Sequence, residues 1–243
     1  MVPLLAPRWR RHVRESLGAS LDLVLPPMCP ACGDACADLC ARCASQLSRW
    51  PLHGCARCGA PMTPEGRCNA GHRPLRHVRQ LVAALRFAGS GGALVRRFKL
   101  DASARAGVLL AREMADAWRV VGGAPRPLLV SVPLHRARRR RRGFDQAAWL
   151  ASRLGDRLGL RVAVGALARV RATRPQGDAR VLSRAANVRG AFSVCRRRAR
   201  GLRGRDVLLV DDVWTTGATA RACAAQLRAA GAASVSLLVA CRS

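Results

Sequence analysis

The sequence has no tyrosine, a single lysine and few aromatic or acidic residues. Phe and Trp make up 4% of the 243 residues, so a buried core has to consist mainly of Ala, Val and Leu. The 14 acidic residues face 43 basic ones, and the formal net charge is +29. Such a surface attracts nucleic acid, phosphorylated ligands or acidic membranes. Drift toward an arginine-rich composition is the alternative explanation of this charge.

The sequence also lacks a long apolar run. No stretch approaches the ~20 apolar residues of a membrane-spanning helix. The first 26 residues mix apolar and basic side chains, without the apolar region and small-residue cleavage site of a secretory signal. We therefore expect an amphipathic helix over residues 1–26, no transmembrane segment and a cytoplasmic protein.

The composition changes near residue 78, and beyond it strand-length apolar runs alternate with helix-like segments. That alternation predicts a mostly parallel sheet flanked by helices. The predicted strands are 80–87, 128–132, 162–164, 192–194, 207–210 and 234–240. The predicted helices are 104–121, 146–158, 219–230 and one that follows a turn at 89–92 and ends at Lys99. Residues 135–142 and 173–188 are expected to be mobile or irregular.

The clearest chemical pattern is the run VLLVDDVWTTGAT at positions 207–219. Its four apolar residues predict a strand buried on both faces, and Asp211 and Asp212 follow before a loop and a helix. Loops at the carboxyl ends of parallel strands bind ligands, and a helix N-terminus with nearby hydroxyls cradles a phosphate. Two carboxylates beside such a cradle accept hydrogen bonds from a ribose diol. The pattern is neither a P-loop nor a dinucleotide-binding glycine motif.

An arginine block follows the predicted strand 128–132. Guanidinium groups form paired hydrogen bonds with phosphate oxygens, so a strand end that leads into a basic loop suits a diphosphate. A solvated run of charge is the alternative. The predicted diphosphate-binding residues are His135, Arg136, Arg138, Arg139 and Arg142. Lys99, the one lysine, is either a compact charge for a phosphate or a chance survivor.

Eight of the 11 cysteines lie between positions 29 and 68, mostly in C-x-x-C pairs. In a reducing compartment such clusters bind metal more often than they form disulfides, and four thiolates select Zn²⁺ in a structural site. The predicted ligands are Cys29, Cys32, Cys40 and Cys43 in a first site and Cys55, Cys58, Cys68 and His72 in a second. Interleaved pairing, an iron–sulfur cluster and disulfides are alternatives. Cys36 is expected to be a spare, and the core is expected to contain Cys195, Cys223 and Cys241.

The chain resembles the ComF family, ComF/GntX-like phosphoribosyltransferase-related proteins with an N-terminal double zinc ribbon. The resemblance rests on the cysteine series and on four stretches: VPLHRARRRRRGFDQ at 132–146, TRPQ at 173–176, LSRAANVRGAF at 182–192 and the run at 207–219. It implies an α/β type I phosphoribosyltransferase fold over residues 79–243, behind a zinc-ribbon module at 27–78.

The resemblance also implies residue roles. The run at 207–219 is similar to the motif that binds 5-phosphoribosyl 1-diphosphate (PRPP) in type I phosphoribosyltransferases. Asp211 and Asp212 are then the catalytic-site acids that bind the ribose hydroxyls, and Mg²⁺ bridges these hydroxyls and the diphosphate. The implied phosphate-binding residues are Thr215, Thr216, Gly217, Ala218 and Thr219. The implied closing loop contains Gln176, Arg184 and Asn187.

Two positions depart from the family pattern. Asp145 stands where the family has Asn, and an added carboxylate weakens anion binding unless it faces away or meets an arginine. Ala179 stands where Leu is usual, within the implied closing loop.

The resemblance implies a PRPP- or nucleotide-binding protein that is linked to competence and the uptake of single-stranded DNA. As an enzyme it would be a phosphoribosyltransferase with an unknown acceptor. The alternative is a nucleic-acid-binding module whose phosphoribosyl site is regulatory. The expected partners are PRPP or a nucleotide, single-stranded DNA bound without sequence preference, and other DNA-uptake proteins.

Overall fold

The computed structural model describes residues 27–36, 38–52, 54–55, 60–64, 67–70, 75–171, 188 and 190–243. The predicted N-terminal helix at 1–26 lies outside the described residues, and so does the implied closing loop with Gln176, Arg184 and Asn187. Two predicted metal ligands, Cys58 and His72, also lie outside them.

The described elements alternate between strands and helices after a short helix in the cysteine-rich segment. They are α1 (Ala41–Ser45), β1 (Gln80–Arg86), α2 (Gly89–Leu100), α3 (Ala104–Val121), β2 (Leu128–Ser131), α4 (Arg136–Arg142), α5 (Gln146–Leu158), β3 (Leu167–Arg169), β4 (Phe192–Val194), α6 (Arg196–Ala199), a 3₁₀ turn (Arg200–Leu202), β5 (Asp206–Trp214), α7 (Ala218–Ala229) and β6 (Ser234–Arg242).

Four strands form a parallel sheet in the order β1-β6-β5-β2, as the alternating pattern predicts. Successive residues of a strand face opposite sides, and both sides are covered. Leu208 and Val210 of β5 belong to a core with α2, α3 and α5, whereas Leu209 belongs to a core with α7. All four carboxyl ends therefore meet at one edge of the sheet.

Three aromatic rings pack together beside the carboxyl edge of the sheet and join α2 to α5. Phe98 of α2 packs 5.3 Å, centroid to centroid, from both Phe144 and Trp149. A Cβ on Gly107 of α3 would lie 2.6 Å from the Phe98 ring, so a glycine at this position lets α3 approach closely. The packing fixes Lys99, the neighbour of Phe98, at the same edge.

The cysteine-rich segment is joined to the free edge of β1. Trp50 N–H donates to the Ala84 carbonyl (2.9 Å), and Arg86 N–H donates to the Ser48 carbonyl (2.8 Å). The Trp50 ring lies between the guanidinium groups of Arg86 (4.9 Å) and Arg242 (4.4 Å). This pairing covers an edge that would otherwise expose unpaired backbone groups.

Two expectations about loops are wrong. Residues 135–142 are not irregular but form α4, because arginine favours helices and His135 Nδ1 accepts a hydrogen bond from the Ala137 N–H (3.3 Å). Residues 89–92 are not a turn but the first turn of α2. The small residues here let the helix begin close to the end of β1. A Cβ on Gly91 would lie 2.4 Å from the Arg86 carbonyl oxygen.

The strand predicted at 162–164 is reduced to a bridge between Val162 and Leu129. The strand β3 forms at Leu167–Arg169 instead and pairs antiparallel with β4 in a separate two-stranded sheet. Cys223 and Cys241 are fully buried as expected, whereas Cys195 is half-buried.

Candidate phosphate-binding site and metal centre

A cavity of about 430 Å³ opens at the carboxyl edge of the sheet. It brings together the acids near the end of β5 and the hydroxyls that follow this strand with side chains from α2, α4 and α5. The lining includes Phe87, Lys99, Arg138, Arg142, Gln146, Arg169, Asp211, Asp212, Thr215 and Thr219. We call it the first cavity. Two stretches that are far apart in sequence, the acidic run and the arginine block, therefore contribute to one site.

The loop between β5 and α7 forms a cradle for an anion. No side chain of the described residues forms a capping hydrogen bond with α7, and its first N–H groups carry the partial positive charge of a helix N-terminus. Gly217 has a φ of +70°, and a Cβ there would lie 2.0 Å from the ring of Trp214. Only glycine fits this turn beneath the indole. Thr215 and Thr219 line the cavity, and Thr216 is exposed.

The acids lie within β5, which is longer than predicted and remains paired with β6 as far as Trp214. Asp212 N–H donates to Asp211 Oδ1 (2.9 Å). Burial, together with the charge of Asp212, raises the pKa of Asp211 from 3.8 to about 8. One of the two adjacent carboxyl groups is therefore largely protonated at neutral pH.

Lys99, the single lysine, lies in this site. Its Nζ is 2.9 Å from Asp212 Oδ1, and the side chains are 24% and 15% exposed. The partner of the lysine is thus a carboxylate that faces the cavity. The partial burial strengthens the ion pair relative to one on the open surface.

Helix α4 divides the predicted diphosphate-binding residues between two places. Arg138 and Arg142, four positions apart on one helical face, line the first cavity. Arg136 and Arg139 line a neighbouring cavity of about 310 Å³, which we call the second cavity. His135 lies at the N-terminal end of the helix and caps it. A helical period decides which arginines face the acids.

Two lining residues were missed by sequence reasoning. Gln146 is 1% exposed, its Oε1 accepts a hydrogen bond from Arg142 Nη1 (3.2 Å), and its Nε2 has no hydrogen-bond partner within the described part of the chain. Arg169 of β3 lines both cavities, and burial together with the charge of Arg138 lowers its pKa. Gln146 ends the family stretch GFDQ at 143–146, and this position could have identified it. No motif or periodicity in the sequence pointed to Arg169.

Asp145, the departure from the family pattern, is engaged by the backbone. Its Oδ1 accepts from the Ala148 N–H (3.0 Å) and caps α5, and its Oδ2 accepts from the Leu134 N–H (3.3 Å). The side chain lines the second cavity. The carboxylate ties the loop after β2 to α5 and points away from the first cavity.

The first predicted metal site is assembled. The Sγ atoms of Cys29, Cys32, Cys40 and Cys43 all lie within 4.8 Å of one another. Burial raises the pKa of Cys29, but hydrogen bonds from backbone N–H groups, including that of Cys40, outweigh it and bring the pKa to about 6. Four close sulfurs, one of them readily ionised, fit a structural Zn²⁺.

The backbone at Cys55, which begins the third C-x-x-C pair, repeats that at Cys29 where it is described. Cys29 N–H donates to the carbonyl of Asp34 five residues later (2.7 Å), and Cys55 N–H donates to the carbonyl of Ala60, also five residues later (2.7 Å). The backbone of Cys68 forms an isolated antiparallel β-bridge with that of Met62. The second ligand set stays a prediction, because Cys58 and His72 lie outside the described residues.

The sequence matches two known domain families. Residues 20–71 match the double zinc ribbon domain, and residues 104–243 match the phosphoribosyl transferase domain. The second match covers more than half of the chain. The fold class expected from the sequence, a type I phosphoribosyltransferase fold behind a zinc-ribbon module, is confirmed by these matches together with the parallel sheet and the cysteine cluster.

Curated relatives cover most of the chain. The DNA utilization protein YhgH of Escherichia coli O6:H1 is 32% identical over 207 residues, which are 82% of this chain and 88% of the relative. The protein of the same name from Salmonella typhimurium is 32% identical over 197 residues, 78% of this chain and 84% of the relative.

Two solved structures show partial similarity to this chain. An allosteric regulatory enzyme of purine biosynthesis is 16% identical, with a TM-score of 0.39 over 60% of this chain and 30% of that one. The UMP synthase of Leishmania donovani is 18% identical, with a TM-score of 0.33 over 59% of this chain and 22% of that one. Among the described residues, no helix has the length and apolar character required to cross a bilayer.

Substitution of one clustered cysteine is expected to remove one metal ion. Cys32→Ser deletes a sulfur of the four-sulfur cluster. We expect its zinc content, measured by elemental analysis, to fall by one ion per chain, and its melting temperature to fall because such modules depend on metal for folding. Cys36→Ser, four positions from each of two ligands but outside the cluster, should keep the wild-type zinc content. Equal zinc in both variants would contradict the assigned ligands.

The stability of the ligand-free protein should depend on pH through Asp211. Its pKa is about 8 in the folded chain and near 3.8 in the unfolded chain, so between these values only the folded chain retains the proton. Stability contributed by the protonated form therefore falls as the pH rises through this window. We expect the free energy of unfolding of the wild-type protein, measured relative to that of Asp211→Asn, to decline from about pH 4 to pH 8.

Urea denaturation across this pH range measures the effect. Asp116→Asn, a change of an exposed acid paired with Arg119, serves as the control and should keep the wild-type slope. A wild-type slope in Asp211→Asn would contradict the protonation assigned to this carboxyl.

Proposed function

The chain belongs to the ComF family, in which a double zinc ribbon precedes a phosphoribosyltransferase domain, and we propose that it binds PRPP in the first cavity. The observation that carries this proposal is the meeting, at one sheet edge, of an uncapped helix N-terminus, two adjacent acids and two arginines of α4. A 5′-phosphate, a ribose diol and a diphosphate need these three kinds of group. We place the domain boundary near residue 78.

Each group of the ligand has a matching group in the chain. The N–H groups at the start of α7 and the hydroxyls of Thr215 and Thr219 suit the 5′-phosphate. Asp211, with its raised pKa, can donate one hydrogen bond and accept another, and the Asp212 carboxylate accepts; both suit the ribose hydroxyls. Arg138 and Arg142 suit the diphosphate.

The cavity also fits Mg²⁺ as part of the ligand. Mg²⁺ keeps several waters and is held by substrate phosphates with one or two carboxylates, and the Asp212 carboxylate would supply the protein oxygen. When bound, the ion would neutralise the diphosphate and so favour its departure from C1 of the ribose. The chain's own contribution is to position the ribose and to offset the negative charge with Lys99, Arg138 and Arg142.

The binding proposal predicts a ligand-induced rise in melting temperature. At a concentration about 100-fold above Kd, Mg–PRPP should raise the melting temperature by about 5–10 °C. The double change Asp211→Asn with Asp212→Asn removes the carboxylate charge and replaces one oxygen of each group by an NH2 donor, and it should abolish the shift. Asp206→Asn, at the opposite end of the same strand, should keep it. Absence of a shift in the wild-type protein would contradict the proposal.

Release of diphosphate distinguishes a phosphoribosyl-transfer enzyme from a protein that only senses PRPP. A screen with nucleobase and amine acceptors would detect the diphosphate released from PRPP. Release that requires an acceptor identifies a phosphoribosyltransferase, and binding without release identifies a regulatory PRPP or nucleotide site.

We propose, as a second function, that the chain binds single-stranded DNA in the cytoplasm and acts with other proteins of DNA uptake. Two observations favour it: the net charge of +29, and relatives named DNA utilization protein. Zinc-bound cysteines are compatible with a reducing compartment. Electrostatic binding of this kind follows the phosphate backbone and is largely independent of sequence.

DNA binding should therefore depend steeply on salt. In fluorescence anisotropy, the affinity for a 20-nucleotide strand should fall by at least about 100-fold between 50 and 200 mM salt, because several counterions are released per complex. Strands of different sequence should bind within a few-fold of one another. No binding at low salt, or an affinity that is insensitive to salt, would contradict the proposal.

A further inference from the structure

The second cavity lies directly beside the first. The two share Pro133, Leu134 and Arg169 in their linings, so only the loop after β2 and one arginine stand between them. Its volume of about 310 Å³ falls at the lower end of the range of small-molecule sites, which is about 300–1,000 Å³. The cavity is large enough for a ligand of its own.

The charge in the second cavity favours an anion. Its lining includes three arginines, Arg136, Arg139 and Arg169, and one acidic residue, Asp145. Both oxygens of that carboxylate accept hydrogen bonds from backbone N–H groups, at Ala148 and Leu134. The Asp145 carboxylate is thus committed to the backbone, and an excess of positive charge remains for a ligand.

The rest of the lining is apolar. Val162, Val164 and Leu167 contribute aliphatic surface, and Val164 is 70% exposed. The aliphatic residues form a wall that favours an apolar ring or chain of a ligand. The arginines form a rim that favours a phosphate. A lipid would need a longer apolar groove, whereas inorganic phosphate would leave the aliphatic wall bare.

We propose that the second cavity binds a nucleoside 5′-phosphate, with the phosphate on Arg136 and Arg139 and the base or sugar against Val164 and Leu167. The nucleotide is either a free mononucleotide or the 5′-phosphorylated end of a DNA strand, since both present the same chemistry. This site is separate from the one proposed for PRPP and does not require PRPP to bind.

Helix α4 supplies a matched test, because two of its arginines line each cavity. Arg136→Gln with Arg139→Gln removes two charges from the second cavity, and Arg138→Gln with Arg142→Gln removes two from the first. The probe is thymidine 5′-monophosphate, measured by calorimetry on the full chain with and without saturating Mg–PRPP. A mononucleotide avoids the general attraction of this cationic protein for polyanions.

The expected result is a reciprocal pattern. Loss of Arg136 and Arg139 should weaken thymidine 5′-monophosphate about tenfold or more, since each charged hydrogen bond contributes strongly, and should leave the Mg–PRPP shift in place. Loss of Arg138 and Arg142 should weaken Mg–PRPP and change nucleotide affinity less than threefold. The nucleotide should still bind when Mg–PRPP fills the first cavity, and inorganic phosphate should bind more weakly.

Two further arms identify the source of the nucleotide. A 5′-phosphorylated decathymidylate that binds more tightly than its 5′-hydroxyl counterpart, and loses this advantage in the Arg136→Gln/Arg139→Gln variant, identifies a strand end. Equal binding of the two strands identifies a free nucleotide as the ligand. Val164→Ser should weaken the mononucleotide and leave inorganic phosphate unchanged.

Several outcomes would overturn the proposal. They are equal weakening of the mononucleotide by the two arginine pairs, no weakening by Arg136→Gln with Arg139→Gln, and displacement of the mononucleotide by Mg–PRPP. Failure of PRPP to bind the wild-type protein would sink the first-cavity proposal alone, because the comparison between arginine pairs on mononucleotide binding would still hold.

Discussion

The parallel pairing of β5 with β6 through Trp214 is the constraint on which the site depends. Since β5 stays in register as far as Trp214, the backbone of Asp211 and Asp212 is fixed by the ladder rather than by a flexible loop. The indole of Trp214 then covers Gly217, so the chain must turn tightly into α7. Strand, acids, turn and helix N-terminus are thereby held as one rigid unit, which is the condition for precise placement of a charged ligand.

Charge balance within the first cavity follows from that unit. Two adjacent carboxyls at a partly buried strand end repel each other, and the structure responds with a raised pKa at Asp211 and with Lys99 at Asp212. The aromatic contacts of Phe98 hold Lys99 in place from the neighbouring helix. A chain with many arginines thus uses its one lysine where a compact ammonium group meets a single carboxylate oxygen.

The cysteine-rich segment completes the sheet as well as carrying a metal cluster. Its residues 48–50 extend the β1 edge, Arg49 Nε donates to the buried carboxylate of Glu113 (2.9 Å), and Cys29, Ala31 and Cys43 belong to the same core as α2 and α3. The zinc-ribbon module is therefore packed on the phosphoribosyltransferase domain. Loss of metal would disturb the packing of α2, which carries Lys99.

The sequence by itself determined several local elements and the phosphoribosyltransferase fold class. Strong periodicity predicted both ends of α3 and α5 correctly. The run at 207–219 contains the strand, the acids, the glycine and the helix start in sequence, so no distant residue is needed to recognise it. The four cysteines of the first metal site were equally local, since two short turns bring them together. Patterns of this kind depend on neighbouring residues, and a sequence displays neighbours directly.

Only the tertiary structure decided which distant residues share the site. The arginines of α4 look equivalent in the sequence. In the folded helix, Arg138 and Arg142 line one cavity, and Arg136 and Arg139 line another. Lys99 met Asp212 across 113 positions, and Arg169 arrived on a strand that no periodicity marked. These contacts arise from the packing of separate elements at a sheet edge, where spatial proximity has no counterpart in sequence distance.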